Sequence, residues 1–259
     1  MLIFLANVVA VAVLLAVTLA VAVRVGRHSV IDVAWGLGFA LIAAVSYALT
    51  DGDAARRLLV LALTVVWGVR LAVHIGVRNA GSQEDPRYER LLAKAPGSRT
   101  AYAFRTVYLT QGVIMLFVSL PVQVAMAGTQ GIGWLGWIGA AVWLIGFLFE
   151  AVGDRQLARF RADPANAGRV LDTGLWRYTR HPNYFGDATV WWGLFLIAAD
   201  HWPGVLTVLS PIAMTYFLAA KTGKPLLEKQ LTRTRPAYAD YVRRTSGFFP
   251  LPPKKRASA

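Results

Sequence analysis

The densest chemistry in the chain lies between Asp172 and Asp187. There DTGLWRYTRHPNYFGD gathers Arg177, Tyr178, Arg180, His181, Asn183, Tyr184 and Asp187. Arginine and histidine offer cationic donors for phosphate, asparagine plays both amide roles, and tyrosine brings a stacking face with a hydroxyl. Pro182 disfavours the helical region for His181, so the backbone is expected to turn there before a helix starts. Gly186 leaves room for a helix or a ligand to approach closely. Such a set suits a large anionic cofactor; the competing reading is a plain basic loop at a membrane surface.

Other ionisable residues interrupt apolar runs. Asp32 stands three residues before Trp35, and Asp187 near the start of a later run. Trp67, Arg70, His74 and Arg78 follow one another at helical spacing and share a face, as do Glu150 and Asp154. A charge inside hydrocarbon is costly unless paired or watered, so each of these needs a reason. Arg78 and Glu150 are equally well explained by snorkelling or by pairing that holds helices together. Asp32, Arg70 and Asp187 taken together point to a polar cavity.

The elements that must position these residues are long apolar helices. Of 259 residues, 56% are hydrophobic, more than a soluble domain of this size carries. The apolar residues come in runs near the ~20 needed to cross a bilayer as a helix. Seven spans are expected: Leu2–Val23, Val30–Thr50, Leu58–Val77, Thr106–Ala127, Ile132–Gly153, Tyr184–Ala199 and Gly204–Ala220. The first has no basic residue before it and exceeds a signal-peptide core, so it is expected to be retained. No strand pattern intervenes, and a lipid-exposed backbone must satisfy its own hydrogen bonds. The expected fold is an all-α polytopic membrane bundle forming one membrane-embedded domain over residues 1–259.

Basic residues set the orientation. The net charge is +13, but the arginines and lysines flank apolar runs instead of forming a nucleic-acid stripe. They concentrate in the first connection, in segments 78–105 and 154–183, and in the tail 221–259. Alternate connections carry only Arg56 and Arg57. The positive-inside rule then places the N-terminus outside and the C-terminus in the cytoplasm, with every ionisable residue named above toward the cytoplasmic ends. Lys254, Lys255 and Arg256 are expected to touch anionic headgroups.

Some chemistries are excluded. The chain has no cysteine, which removes thiolate nucleophiles and thiolate metal sites. His28, His74, His181 and His201 lack ligand-like spacing, so no metal site is expected. Gly131, Gly133 and Gly136 match G-x-G-x-x-G literally, but no strand precedes them, and helix packing explains them better.

Arg180-His181-Pro182-Asn183-Tyr184-Phe185-Gly186-Asp187 resembles the signature of the steroid 5α-reductase-like membrane proteins, closest to their bacterial, largely uncharacterised branch. The similarity extends to Ser29–Trp35, Trp67–Arg70, Glu84–Tyr88, Asp154–Leu157 and the tail from Leu226 to Pro250. The resemblance implies seven membrane helices and NADPH-dependent reduction of a carbon–carbon double bond conjugated to a carbonyl. It implies cofactor contacts from Asp154, Arg155, Tyr178, Asn183 and Asp187, with Arg70, Arg180 and His181 contributing donors. Asp32 stands in for the family's second-helix glutamate, which polarises the substrate carbonyl. The family's third-helix tyrosine is replaced by Trp67, which leaves Tyr88 as a substitute proton donor.

The same signature, with Pro225-Leu226-Leu227-Glu228 and the later Tyr238 and Tyr241, also resembles isoprenylcysteine and phospholipid methyltransferases, in which Glu228 would help bind S-adenosylmethionine. A non-enzymatic transporter or membrane scaffold is the third reading; the one-sided polarity and lack of an internal repeat weigh against it. The expected partners are the bilayer and a hydrophobic, lipid-like substrate, with no nucleic acid. The Ala-, Val- and Arg-rich usage fits a bacterium, and the expected location is its inner membrane.

Overall fold

A computed structural model describes residues 2–221 and 223–254; Lys255 and Arg256 of the expected headgroup anchor lie outside the described residues. The described chain is helical and contains no strand, only an isolated bridge between Thr179 and Ser246. We number its helices α1 (Leu2–Val25), α2 (Val30–Ala48), α3 (Ala54–Asn79), α4 (Pro86–Leu92), α5 (Arg99–Ala127), α6 (Trp134–Ala162), α7 (Pro182–Ala199), α8 (Gly204–Lys221), α9 (Lys224–Thr234) and α10 (Tyr238–Arg244).

Six of these, α1, α2, α3, α5, α6 and α8, are long and apolar enough to cross a membrane. The protein is thus a polytopic membrane bundle. The remaining expected span is α7, which forms as an 18-residue helix. It falls outside those six because its first two turns carry Asn183, Tyr184 and Asp187. Several spans overrun their expected ends. At ~1.5 Å per residue the 29-residue α6 is ~43 Å long, more than hydrocarbon requires, so Asp154 and Arg155 sit on a continuing helix and not in a loop.

The chain divides into two compact units, residues 1–133 with 198–205 and residues 134–197 with 206–259. In the first unit, α2 and α3 cross at Gly36 and Gly68, each of whose missing side chain would collide with the other's carbonyl oxygen. Trp67 is fully buried beside this crossing and packs on Phe39, with ring centroids 5.6 Å apart. A buried polar chain links α1, α2 and α5. Asn7 Nδ2 donates to Ser46 Oγ (2.9 Å) and Gln123 Oε1 (3.1 Å), and Gln123 Nε2 donates to Ser119 Oγ (2.9 Å). At the start of α3, the guanidinium of Arg56 donates to Asp200 Oδ2 (2.8 Å) and to the Gly131 carbonyl (2.8 Å). Both partners of that ion pair are buried. Asp200 also accepts the Gly133 N–H. Two glycines of the false dinucleotide motif, Gly131 and Gly133, therefore serve a helix-end clamp.

In the second unit, α6 and α7 meet backbone to backbone. Gly139 and Gly146 on α6 face Gly193 and Gly186 on α7, seven residues apart on each helix. A Cβ on Gly146 would lie 2.6 Å from the Val190 nitrogen and 2.7 Å from the Gly186 oxygen. One on Gly139 would lie 2.7 Å from the Gly193 oxygen. Farther along α6, Gly153 receives Pro182, the first residue of α7. Apolar helices gain nothing from leaving lipid for one another, so close packing through small residues supplies the attraction.

This seam sets a stability test. Gly146→Ala overpacks a backbone contact and is expected to cost about 1–3 kcal/mol, read as a lower thermal midpoint in detergent. Gly76→Ala, where a Cβ meets nothing within 4 Å, should be neutral or stabilising by up to about 1 kcal/mol. Equal responses at the two positions would remove the seam from the account.

Candidate active site

The first cluster assembles around the N-terminus of α2. The residues that lead into α2, His28 and Ser29, carry backbone N–H groups that need acceptors. Glu84 supplies them: its carboxylate accepts from the backbone N–H of His28 and, at 2.9 Å, from that of Ser29. Arg27 holds the same loop through the carbonyls of Asn79 and Ser82. Asp85 then caps α4, accepting from Arg87 N at 2.7 Å, with Pro86 at the first helical position. These local devices dock α4 against α2.

The docking brings Tyr88 to Asp32, 56 residues apart in sequence. The buried Tyr88 hydroxyl donates to Asp32 Oδ1 at 2.6 Å. Arg87 Nη2 reaches Asp32 Oδ2 at 3.1 Å and Asp85 Oδ2 at 2.9 Å. Gln111 Nε2 lies 3.5 Å from the Tyr88 oxygen, at the outer limit of a hydrogen bond. Burial, the charge of Asp32 and the hydrogen bond to it push the Tyr88 phenol well above its ordinary range, with Arg87 opposing. Tyr88 therefore keeps its proton and presents it as a donor. A π-helical turn at Phe104–Tyr108 interrupts α5 just before Gln111 and sets Tyr108 3.3 Å from His28 Nδ1; such insertions recur at functional sites. Arg70 and His74, half-buried, lie on the α3 face that runs from buried Trp67 to exposed Arg78.

The second cluster lies in the other unit, at the turn into α7. Arg180 is almost fully buried, and its guanidinium grips Glu228 with two nitrogens, Nε at 2.8 Å and Nη2 at 3.2 Å. Its Nη1 donates to the carbonyls of Val242 (3.1 Å) and Thr245. His181 Nε2 meets Glu228 Oε1 at 3.0 Å, and the ring stacks on Tyr184 with centroids 5.3 Å apart. The tail is laced to this turn by Thr179 Oγ1 to the Phe248 carbonyl (2.8 Å), Leu251 N to the Tyr178 carbonyl (3.0 Å), and the Tyr241 hydroxyl to the Trp176 carbonyl. Trp176 in turn donates to the Gly153 carbonyl at 3.1 Å. Arg180 thus binds the tail with the donors that a phosphate would otherwise take.

Asn183 Nδ2 donates to buried Asp154 Oδ1 at 3.0 Å, so two expected site residues meet across the α6–α7 seam. Asp187 and Glu150 are buried in the same unit, while Arg155 and Tyr178 are exposed. Burial opposes ionisation of Glu228. The hydrogen bonds from His181 and Arg180, and the guanidinium charge, outweigh it and hold the carboxyl at about 2 against an ordinary 4.5. Burial pulls the His181 imidazole below its ordinary range despite the bond to Glu228. The ring is therefore neutral at pH 7, and Arg180 is the charge partner of Glu228. A neutral imidazole that donates through Nε2 carries a lone pair on Nδ1, an acceptor and not a donor.

Residues 18–245 match the family model described as "Protein of unknown function (DUF1295)". The chain belongs to the DUF1295 family. The match contains the expected site residues of both clusters in this DUF1295 chain, from Asp32 to Glu228. An uncharacterized protein of Schizosaccharomyces pombe is 26% identical over 231 residues, which are 79% of this chain. The chain spans about two thirds (66%) of that relative's length. No solved structure matches the chain. Among the described residues no three His, Asp or Glu side chains group as a metal site.

Acid should loosen the second cluster. Glu228, whose folded value lies below its unfolded one, contributes about 3 kcal/mol above pH 4.5, and this is lost as pH falls toward 2. His181, neutral when folded, adds a loss of the same sign that begins below 6.5. The thermal midpoint of this DUF1295 protein should fall through both windows on acidification. Glu228→Gln should flatten the lower one only, and an unchanged acid limb in that variant would place the titrating group elsewhere.

Proposed function

We propose that this protein is a membrane-embedded, NADPH-dependent reductase of a conjugated carbon–carbon double bond in a lipid-like enone, a member of the steroid 5α-reductase-like superfamily acting in a bacterial inner membrane. The observation that carries this reading is the 2.6 Å hydrogen bond from Tyr88 to Asp32. Reduction of an enone builds negative charge on the carbonyl oxygen, and a fixed, protonated hydroxyl in a low-dielectric site stabilises that charge. Trp67 has no hydroxyl, and its side chain is buried in packing. Tyr88 supplies one, from a short helix beside α2.

The donor set of the second cluster fits a dinucleotide in part. Exposed Arg155 is available for phosphate, exposed Tyr178 offers a ring to stack on and a hydroxyl, and Asn183 presents an amide oriented by Asp154. His181 accepts an N–H, which suits a carboxamide. Arg180 fits as the residue that fixes the turn, since its guanidinium is engaged by Glu228 and the tail. NADPH, when bound, supplies the hydride to the β-carbon of the enone. When substrate binds, the single Tyr88 O–H proton turns from Asp32 to the substrate oxygen, and Arg87 remains to balance the Asp32 carboxylate. A proton from solvent at the α-carbon completes the reduction.

One observation favours a second reading, an S-adenosylmethionine-dependent methyltransferase. Glu228, ionised and held by Arg180 and His181, is a fixed carboxylate of the kind that binds an ammonium or sulfonium cation. Thermal shift of the purified protein separates the two: reductase predicts a midpoint rise with NADPH and none with S-adenosylmethionine. NADPH consumption with a panel of lipid enones then tests the site. Tyr88→Phe and Asp32→Asn should each lower kcat about 100-fold or more, with folding retained. Full turnover in both variants sinks the assignment.

A further inference from the structure

Gln111 stands in the apolar run of α5, three residues after Tyr108 and four before Met115, so the three share one face of the helix. Tyr108 and Met115 are fully buried, yet Gln111 between them is half-exposed. The inner face of α5 is therefore open at this turn, beside the Tyr88 hydroxyl. Across Tyr88, Asp32 likewise keeps 18% of its side chain exposed.

The direction of the Gln111 amide follows from its neighbour. Tyr88 gives its one proton to Asp32, so its oxygen can only accept from any other group. The amide atom 3.5 Å away is then the donor, Nε2, and the carbonyl Oε1 is turned to the other side. The two amide atoms are about 2.2 Å apart, which keeps Oε1 within about 6 Å of the Tyr88 oxygen. Oε1 accepts no hydrogen bond from any described residue, and it is not sealed in packing. Water can serve it until a lipid-like molecule displaces that water. The molecule then either brings a donor of its own or leaves the oxygen bare, which weakens binding.

We infer that Gln111 Oε1 selects the substrate by accepting a hydrogen bond from a hydroxyl on the carbon next to the reacting carbonyl, so that the substrate is a hydroxy-enone. This deepens the enone reading above and rests on it. Two protein atoms this close are spanned by a carbonyl and a hydroxyl on neighbouring carbons. The carbonyl takes the Tyr88 proton, and the hydroxyl gives its own to Gln111. A plain enone offers Oε1 nothing, and a site that pairs a polar group discriminates against the analogue lacking it.

The test uses the full chain in a maltoside detergent and three long-chain ligands with no double bond to reduce. They are a saturated ketone, its counterpart with a hydroxyl on the neighbouring carbon, and the methyl ether of that hydroxyl. Affinities are read from midpoint shifts against ligand concentration. The wild type should bind the hydroxyketone about tenfold tighter than the other two, the worth of one hydrogen bond. Gln111→Leu, which removes the acceptor, should bind all three alike. Gln111→Glu, which keeps an acceptor oxygen, should keep the preference. The comparison of hydroxyl with ether needs no variant to fold. Equal binding of the three by the wild type, binding of none, or a preference that survives Gln111→Leu would overturn the inference. Turnover of the matching enones with NADPH is read separately. Turnover blind to the hydroxyl refutes the role of Gln111 and leaves the reductase standing. A binding preference that depends on Gln111, with no turnover, supports the site and removes the reductase.

Discussion

In hydrocarbon, two apolar helices have no hydrophobic reason to meet, and what holds them is how closely their backbones can come. The glycines of α6 and α7 answer that constraint at successive heptads, so the two helices touch along their length and not at one crossing. The consequence reaches the chemistry. Gly153 receives Pro182, which fixes where α7 begins, and the turn before it carries Arg180 and His181 while the turn after it carries Asn183. Asn183 then finds Asp154 within 3.0 Å because the seam has already set the register. A helix pair held by larger side chains would separate the same residues by several ångströms.

A second constraint concerns charge. Three carboxyl groups in the two clusters are met by specific partners: Asp32 by Tyr88 and Arg87, Glu84 by the N–H groups of His28 and Ser29, Glu228 by Arg180. The partnerships differ in kind. Arg87 is half-exposed, so water moderates its interaction and the pair is adjustable. Arg180 and Glu228 are largely buried and bidentate, a geometry that resists rearrangement and costs several kcal/mol to break on one side. The first suits a place where charge changes during a reaction. The second suits a fixed point to which a tail is tied.

The membrane helices were legible because twenty apolar residues in a row admit few alternatives, and α1 to α3 fall within a few residues of their expected bounds. The turn at His181–Pro182 was legible from proline chemistry alone. The extension of α6 to Ala162 was not: Asp154, Arg155, Arg159 and Arg161 read as a connection by polarity, yet a helix leaving the bilayer continues wherever propensity allows. Asp32 and Tyr88 were each singled out, but their contact depends on Glu84 capping α2 across a loop, a long-range choice that no local period encodes. The Arg56–Asp200 pair was missed for a similar reason. Its two members stand 144 residues apart, each at the end of an apolar run where a lone charge looks like ordinary flanking.

Arg180 shows how many kinds of partner one residue type can serve. An arginine beside a histidine in a turn suggests phosphate, because its five donors match phosphate geometry so well. Those donors match carbonyls and carboxylates equally well, and here Glu228, Val242 and Thr245 take them. Sequence separation conceals the competition: Glu228 is 48 residues downstream and Thr245 is 65. Arg180 and the tail, which the resemblance drew together, form one structure, a buried clasp.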